Sequence, residues 1–300
     1  MAITGSSTAS VDAVDAATAA RVYHLYLPIY FFCREQARKA RGGGAAVAIG
    51  LSAPQGCGKT TLVDALVDRF AADGLTCEVV SFDDFYLTGA AQDEVAASSP
   101  NNPLLQVRGN AGTHDLALGT STLRSLVDAR ASSSSSASSE PLLIPRYDKA
   151  ARSGRGDRAD KSTWPAASKP PDVVLLEGWM AGFAPVAPDT PVLAEHAGLP
   201  EVNELLSRYT AWHDLLDAWV VLAVDDPQCV YNWRLQAEQA MAAQGRPGMS
   251  DAQVADFVSR YMPAYHAFLP ALYEAAEGSD GVDGKPTLMV KVDESRAPVA

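Results

Sequence analysis

Lys59 and Thr60 close the run Ala53-Pro54-Gln55-Gly56-Cys57-Gly58-Lys59-Thr60, with Thr61 behind them, and this grouping has the parts to hold a triphosphate. The backbone N–H groups of such a loop, and of the helix it opens, point at phosphate oxygens where the helix dipole also favours negative charge. Lys59 would reach the β and γ phosphates of ATP, and the Thr60 hydroxyl would ligate Mg²⁺, an ion that keeps several waters and takes few protein ligands. Ala53 stands where the general motif has its first glycine. Asp83 in Ser81-Phe82-Asp83-Asp84-Phe85-Tyr86 is the candidate general base, able to accept the proton of an attacking hydroxyl or hold it in line with the γ-phosphate. Glu177, closing the apolar run Val173 to Leu176, is placed to orient the metal's water shell. The plainer reading of Asp84 is a carboxylate that caps a turn.

On the acceptor side, Arg108 offers a planar fork suited to a carboxylate, and His114 could bond a hydroxyl. Asp84 and Tyr86 flank the same ground. Between Arg146 and Lys161 the chain holds six Arg and Lys against three Asp, with Arg146, Arg155 and Arg158 the candidates for substrate contact. Interleaved with Gly154 and Gly156, this stretch is expected to be a flexible basic loop that closes over phosphates or an anionic substrate and excludes water. Arg234, one turn after Val230, is a further phosphate candidate. A solvated surface loop, a solvated helical arginine and an N-cap at Thr113 are the plainer alternatives for these stretches.

The elements that must carry these groups follow from apolar runs and turn residues. Ala45 to Ser52 reads as a buried strand, Gly58 to Ala72 as a helix closed by Gly74, and Cys77 to Ser81 as a second strand, parallel to the first. Val173–Glu177 and Trp219–Val224 are further strands, with a helix near 201–216 between them. Helices from Pro227 to about Gln244 and from Asp251 follow, the second with Val254, Phe257, Val258, Tyr261 and Met262 on one face, and then a last strand at 287–290. An N-terminal helix from Val22 to Ala40, ended by Gly42 to Gly44, should pack an aromatic stripe of Tyr23, Tyr26, Tyr30 and Phe31 with Leu27 on the body. Thr113 is the expected cap of a helix through Leu126. Strand alternating with helix implies an α/β fold with a central parallel sheet, and acidic groups at its carboxyl edge lie where such sheets bind ligands. One domain over 21–300 is expected, after a flexible segment 1–20 and with insertions at the serine-rich stretch 131–140 and the basic loop 146–164. No repeat is evident.

The 300-residue chain carries a net charge of −12, which disfavours nucleic acid or an anionic membrane as principal partner. No apolar run approaches the roughly 20 residues that span a bilayer, so no membrane role is expected. Four scattered cysteines without C-x-x-C spacing fit a reducing compartment and no structural zinc. The first twenty residues, with Asp12 and Asp15 and no Arg or Lys, are unlike a secretory signal or an intact transit peptide.

Taken together and in this order, the stretches Leu51–Leu62, Ser81–Thr88, Arg108–Asp115, Pro145–Lys149 with Gly154–Arg158, and Glu177–Met180 resemble the phosphoribulokinase, uridine kinase and pantothenate kinase superfamily. Within it they are most similar to the plant-type glycerate kinases, as are Trp233–Gln236 and Arg260–Tyr265, so the resemblance covers about Tyr23 to Val292. It implies a three-layer P-loop fold and transfer of the ATP γ-phosphate, with Mg²⁺, to the 3-hydroxyl of D-glycerate in chloroplast photorespiration. It also implies that Asp83 acts at the acceptor hydroxyl and that Gly56, Gly58, Lys59 and Thr60 hold the nucleotide. A monomer is expected, with the cytoplasm as the alternative compartment. A related kinase for a nucleoside or pantothenate-like acceptor stays open, as does a non-catalytic nucleotide-binding regulator; a GTPase is disfavoured because no Asn-Lys-x-Asp occurs.

Overall fold

The computed structural model describes residues 15–40, 44–132, 141–167, 169–245 and 248–299. The serine-rich loop expected at 131–140 lies outside them from 133 onward, as do 1–14 of the expected flexible segment and 41–43 of the glycine turn. In chain order the helices and strands are α1 (Ala16–Arg21), α2 (Leu27–Ala40), β1 (Val47–Ser52), α3 (Lys59–Ala72), β2 (Cys77–Ser81), α4 (Gly89–Ser98), α5 (Leu116–Ser132), β3 (Tyr147–Asp148), β4 (Asp157–Arg158), β5 (Val173–Gly178), α6 (Leu199–Leu206), α7 (Thr210–His213), β6 (Ala218–Ala223), α8 (Cys229–Ala243), α9 (Asp251–Ser259), α10 (Met262–Glu277) and β7 (Thr287–Lys291).

A five-stranded parallel sheet in the order β2-β5-β1-β6-β7 forms the middle layer of a three-layer α/β fold. Every residue of β1 and β6 is buried, as is all of β5 but Glu177, the burial on both faces that uninterrupted apolar runs predict. The expected direct pairing of the first two strands is corrected. β2 and β1 are parallel, but β5 lies between them, with Leu51 opposite Glu177 and Glu177 opposite Ser81. That register brings the carboxyl ends of β1, β5 and β2 side by side, and hence the phosphate loop, Glu177 and the acidic turn after Ser81.

The N-terminal helix also departs from expectation. Ala16–Arg21 is already helical, with Asp15 as its cap, and Val22–Tyr26 is a π-helical segment that rotates the following face. Leu25, Ile29, Tyr30 and Cys33 are therefore the buried stripe, while Tyr23 and Phe31, expected inside, are 66% and 54% exposed. Thr113 does not cap the helix after it: its hydroxyl accepts from the Gly109 N–H and donates to the Asn110 carbonyl, and Asp115 accepts from the Leu118 N–H instead. The helix expected near 201–216 is split into α6, a 3₁₀ turn and α7.

Candidate active site

The loop after β1 is held from behind. The Ala53 N–H donates to the Gly178 carbonyl at 3.2 Å, the Gln55 N–H to the Tyr265 hydroxyl at 3.0 Å, and Arg296 Nε to the Gly56 carbonyl at 2.6 Å. Gly56 sits at φ 83°, in the left-handed region, and a Cβ there would lie 2.7 Å from Trp233 Cβ, so both conformation and space call for glycine. Gly58 precedes α3 without any side-chain cap, which leaves the leading amides of the helix to receive an anion. Ala53, Pro54 and Cys57 are buried under the loop, and Thr60 and Thr61 are exposed on the first turn of α3. Burial pushes the Cys57 thiol up and outweighs the nearby Lys59, so it stays protonated. Lys59 Nζ lies 3.4 Å from Glu177 Oε2. Burial works against the charge of Lys59, but Glu177 and Asp83 outweigh it and the ammonium is held. Glu177 Oε2 is itself buried and accepts no hydrogen bond.

The acidic segment is one 3₁₀ turn, Phe82–Phe85. Residues three apart share a side of such a turn, so Phe82 and Phe85 are both fully buried against Trp212 while Asp83 and Asp84 face elsewhere. Asp84 accepts from the Ser81 N–H at 3.2 Å and pairs with Arg146 at 3.1 Å. Burial pushes its carboxyl up to about 6 despite Arg146. Asp83 takes the opposite course: burial opposes its charge, but Lys149, at 2.5 Å, together with the Tyr86 hydroxyl and Lys59, holds the carboxyl below its ordinary value.

The basic stretch is a correction. Rather than a free flexible loop it is a hairpin, with β3 antiparallel to β4, whose cations are matched to distant carboxylates. Arg146 pairs with Asp84, Lys149 with Asp83, Arg152 and Arg155 with Asp93 on α4, and Arg158 with Asp115 at 2.8 Å. Asp157 accepts from the Gly89 N–H at 2.8 Å, which ties the second strand to the same helix. Arg108 donates to the Gly154, Arg155 and Lys149 carbonyls and lies over the Tyr147 ring, with no carboxylate partner among the described residues.

These pieces enclose a cavity of about 490 Å³. Its lining includes Gln55, Gly56, Lys59 and Thr60 from the phosphate loop and α3, Asp83, Tyr86 and Arg108 from the segments after β2 and α4, and Arg234 of α8. Arg234 pairs with buried Glu238 and lies over Phe257. Five residues expected to meet the acceptor do not line the cavity. Asp84, Arg146, Arg155 and Arg158 are engaged as just described. His114 is a buried ring stacked on Tyr86, its Nδ1 2.6 Å from the Tyr209 hydroxyl, and burial pushes it down to about 3, so it is neutral. Conversely Lys149 and Tyr261 line the cavity and were not singled out from the sequence. Nothing in its spacing separates Lys149 from five other cations in its window, and Tyr261 reads as one more residue of an apolar helix face. A concavity of 640 Å³ between α2 and α3 is larger, yet its charged residues include Arg34 beside Asp73 and Arg38 bonded to Glu35, with no phosphate-holding loop.

No family model matches the chain. It is 48% identical over 287 residues to the chloroplastic D-glycerate 3-kinase of Arabidopsis thaliana, a match spanning 93% of this chain and 61% of that protein. It is 39% identical to an uncharacterized kinase of Schizosaccharomyces pombe, over 85% of this chain and 91% of the relative. The solved D-glycerate 3-kinase of Cryptococcus neoformans superposes with a TM-score of 0.80 at 30% identity, covering 92% of this chain and 97% of that one. With a phosphate loop, an acidic turn beside it and likeness that runs along nearly the whole of the two fungal proteins, though over less than two thirds of the Arabidopsis one, the chain belongs to the glycerate kinase family of ATP-dependent P-loop kinases.

Proposed function

We propose that the protein is a D-glycerate 3-kinase, in which residues 21–300 act as one catalytic domain. The observation that carries this reading is that Lys59 and Asp83 line one cavity, so that the proposed nucleotide anchor and an ionised carboxylate share it. Names printed for relatives from a plant and a fungus supply the acceptor. In the reaction Asp83 holds the 3-hydroxyl and takes its proton, the hydroxyl oxygen bonds to the γ-phosphorus, and the bond from that phosphorus to the β–γ bridging oxygen breaks to release ADP. Lys59 and the loop amides hold the phosphates throughout, and positioning supplies most of the acceleration. Arg108, without a carboxylate partner of its own, is the receptor proposed for the acceptor's carboxylate, and Arg234 faces the phosphates.

Magnesium fits the residues present. Thr60 is exposed beside the cavity, and buried Glu177 Oε2 lacks a hydrogen-bond donor that a metal-bound water would provide. That no group of three or more metal-ligating side chains occurs among the described residues agrees with an ion held largely by substrate oxygens and water. When bound, the ion would neutralise charge on the β and γ oxygens. A chloroplast address and a place in photorespiration rest on the name printed for the Arabidopsis relative.

ADP release from ATP, measured with D-glycerate, L-glycerate, pantothenate or uridine, tests the reading. Turnover with D-glycerate alone, lowered about 10²- to 10⁴-fold in Asp83→Asn, is expected. Turnover only with uridine or pantothenate would move the chain to another acceptor, and no stimulation by any acceptor would leave a nucleotide-binding regulator.

A further inference from the structure

An ammonium stands where the acceptor's hydroxyl must go. Lys149 Nζ is 2.5 Å from Asp83 Oδ2, one of the two oxygens able to receive the proton, so the proposed base is capped on that oxygen while the acceptor is absent. The cap is removable: the Lys149 side chain is 60% exposed, lines the cavity from a hairpin turn, and makes no other side-chain bond among the described residues. Its own carbonyl, meanwhile, accepts from Arg108 at 3.5 Å, which places the Lys149 ammonium and the Arg108 guanidinium on one stretch of cavity wall. Of the described cations lining the cavity, Lys59 faces Glu177 and Arg234 faces Glu238, whereas Arg108 has no carboxylate and Lys149 only the one it must release.

We infer that Lys149 is a specificity-determining residue: an anionic acceptor entering beside Arg108 draws its ammonium off Asp83, so that only a substrate bearing its own carboxylate uncovers the base. The inference rests on the proposed acceptor-kinase reading and deepens it. A neutral acceptor of the same shape offers nothing to exchange for the Lys149–Asp83 pair, and its hydroxyl competes poorly against an ion pair. Lys149 acts on Asp83 rather than on the reacting atoms, and Asp83 is also faced by Lys59, Tyr86, Tyr261, His114 and Asp84, which remain in place when Lys149 is changed.

The test compares kcat/KM for D-glycerate and its neutral amide, D-glyceramide, in the wild type, Lys149→Met and Lys149→Arg. The wild type should prefer the acid strongly. In Lys149→Met that preference should fall about 10- to 100-fold, the acid limb of the pH profile should move to higher pH as Asp83 loses its counter-charge, and Lys149→Arg should recover most of the preference. An unchanged thermal shift on adding ATP establishes that each variant is folded. Equal losses for the two acceptors, or an unmoved acid limb, would overturn the inference while leaving the kinase reading intact. Wild-type enzyme that turns over neither compound would remove both.

Discussion

The two walls of the cavity are built by different means. The phosphate wall grows from the middle of the sheet: β1 is buried throughout, its loop is tied down by Gly178, Tyr265 and Arg296, and Lys59, opening α3, meets Glu177 near the end of β5. On the acceptor wall, segments far apart in sequence are joined largely by ion pairs, Arg146 to Asp84, Lys149 to Asp83 and Arg155 to Asp93, whose cationic side chains are 39%, 60% and 52% exposed. Buried hydrogen-bonded contacts give a fixed geometry, whereas exposed pairs are worth at most about 1 kcal/mol each and are screened by salt. The difference suits the proposed division of labour, in which a firmly held cradle would receive the triphosphate and a surface that can exchange its partners would receive the acceptor.

The sharpest way to break this comparison is at Lys59. Lys59→Met removes the ammonium from the rigid wall and leaves Glu177 without its ion pair. Loss of roughly 10³-fold or more in kcat/KM is expected, and the denaturation midpoint should fall as well, because the buried Glu177 carboxylate is left without its counter-charge. Steady-state kinetics beside a urea melt checks both. A loss under tenfold would mean that the loop amides alone hold the phosphates.

Asp84 offers an intermediate effect with a defined sign. Its folded carboxyl is pushed up to about 6 from an ordinary 3.8, with burial outweighing Arg146 and with Asp83 and Glu177 adding to the rise. Below pH 4 the group is protonated folded or unfolded and costs nothing. Between about 4 and 6 the unfolded chain gives up the proton and the folded one keeps it, so stability falls as pH rises, and above 6 the penalty is constant. Asp84→Asn keeps an acceptor for the Ser81 N–H and removes the penalty. Relative to wild type the variant should therefore gain on the order of 2 kcal/mol at pH 8 over its standing at pH 4. Urea unfolding at the two pH values reads this double difference, and a value near zero would place Asp84 among solvated carboxylates.

The same division marks what could be read from the sequence. The rigid wall was legible because its signals are local: a buried apolar run, glycines where the chain turns left-handed, and Lys-Thr opening a helix. The pairing order was not legible, since nothing within β1 or β2 says that β5 will lie between them. α10 was not legible as a separate element: the spacing places Met262 on the face of the helix from Asp251, whereas Met262 opens α10, with Pro263 in its first turn and Pro270 inside a helix that buries residues from Met262 to Ala276. The hairpin's composition announced charge but not pairing: Asp83, Asp84 and Asp93 lie about sixty residues from their cations, and a string of arginines in sequence looks the same whether it meets phosphate or the protein's own carboxylates.

The smallest effect tests whether those pairs hold the acceptor wall at all. Asp93 on α4 receives both Arg152 and Arg155, so Asp93→Asn releases two cations while substituting a neutral side chain of the same shape. Its side chain is 42% exposed, so solvent screening keeps the stability change small. The hairpin would still be tied through Asp157 to Gly89 and through Arg158 to Asp115, so Lys149 and Arg108 should be loosened rather than lost. A rise of about 3- to 10-fold in the KM for the acceptor is expected, with the KM for ATP unchanged, because only one wall is touched. Raising the salt concentration should erode the wild type towards the variant, since screening weakens the same exposed pairs. Equal changes in both Michaelis constants would show that the two walls move as one body, and the contrast between a rigid cradle and an exchangeable face would fail.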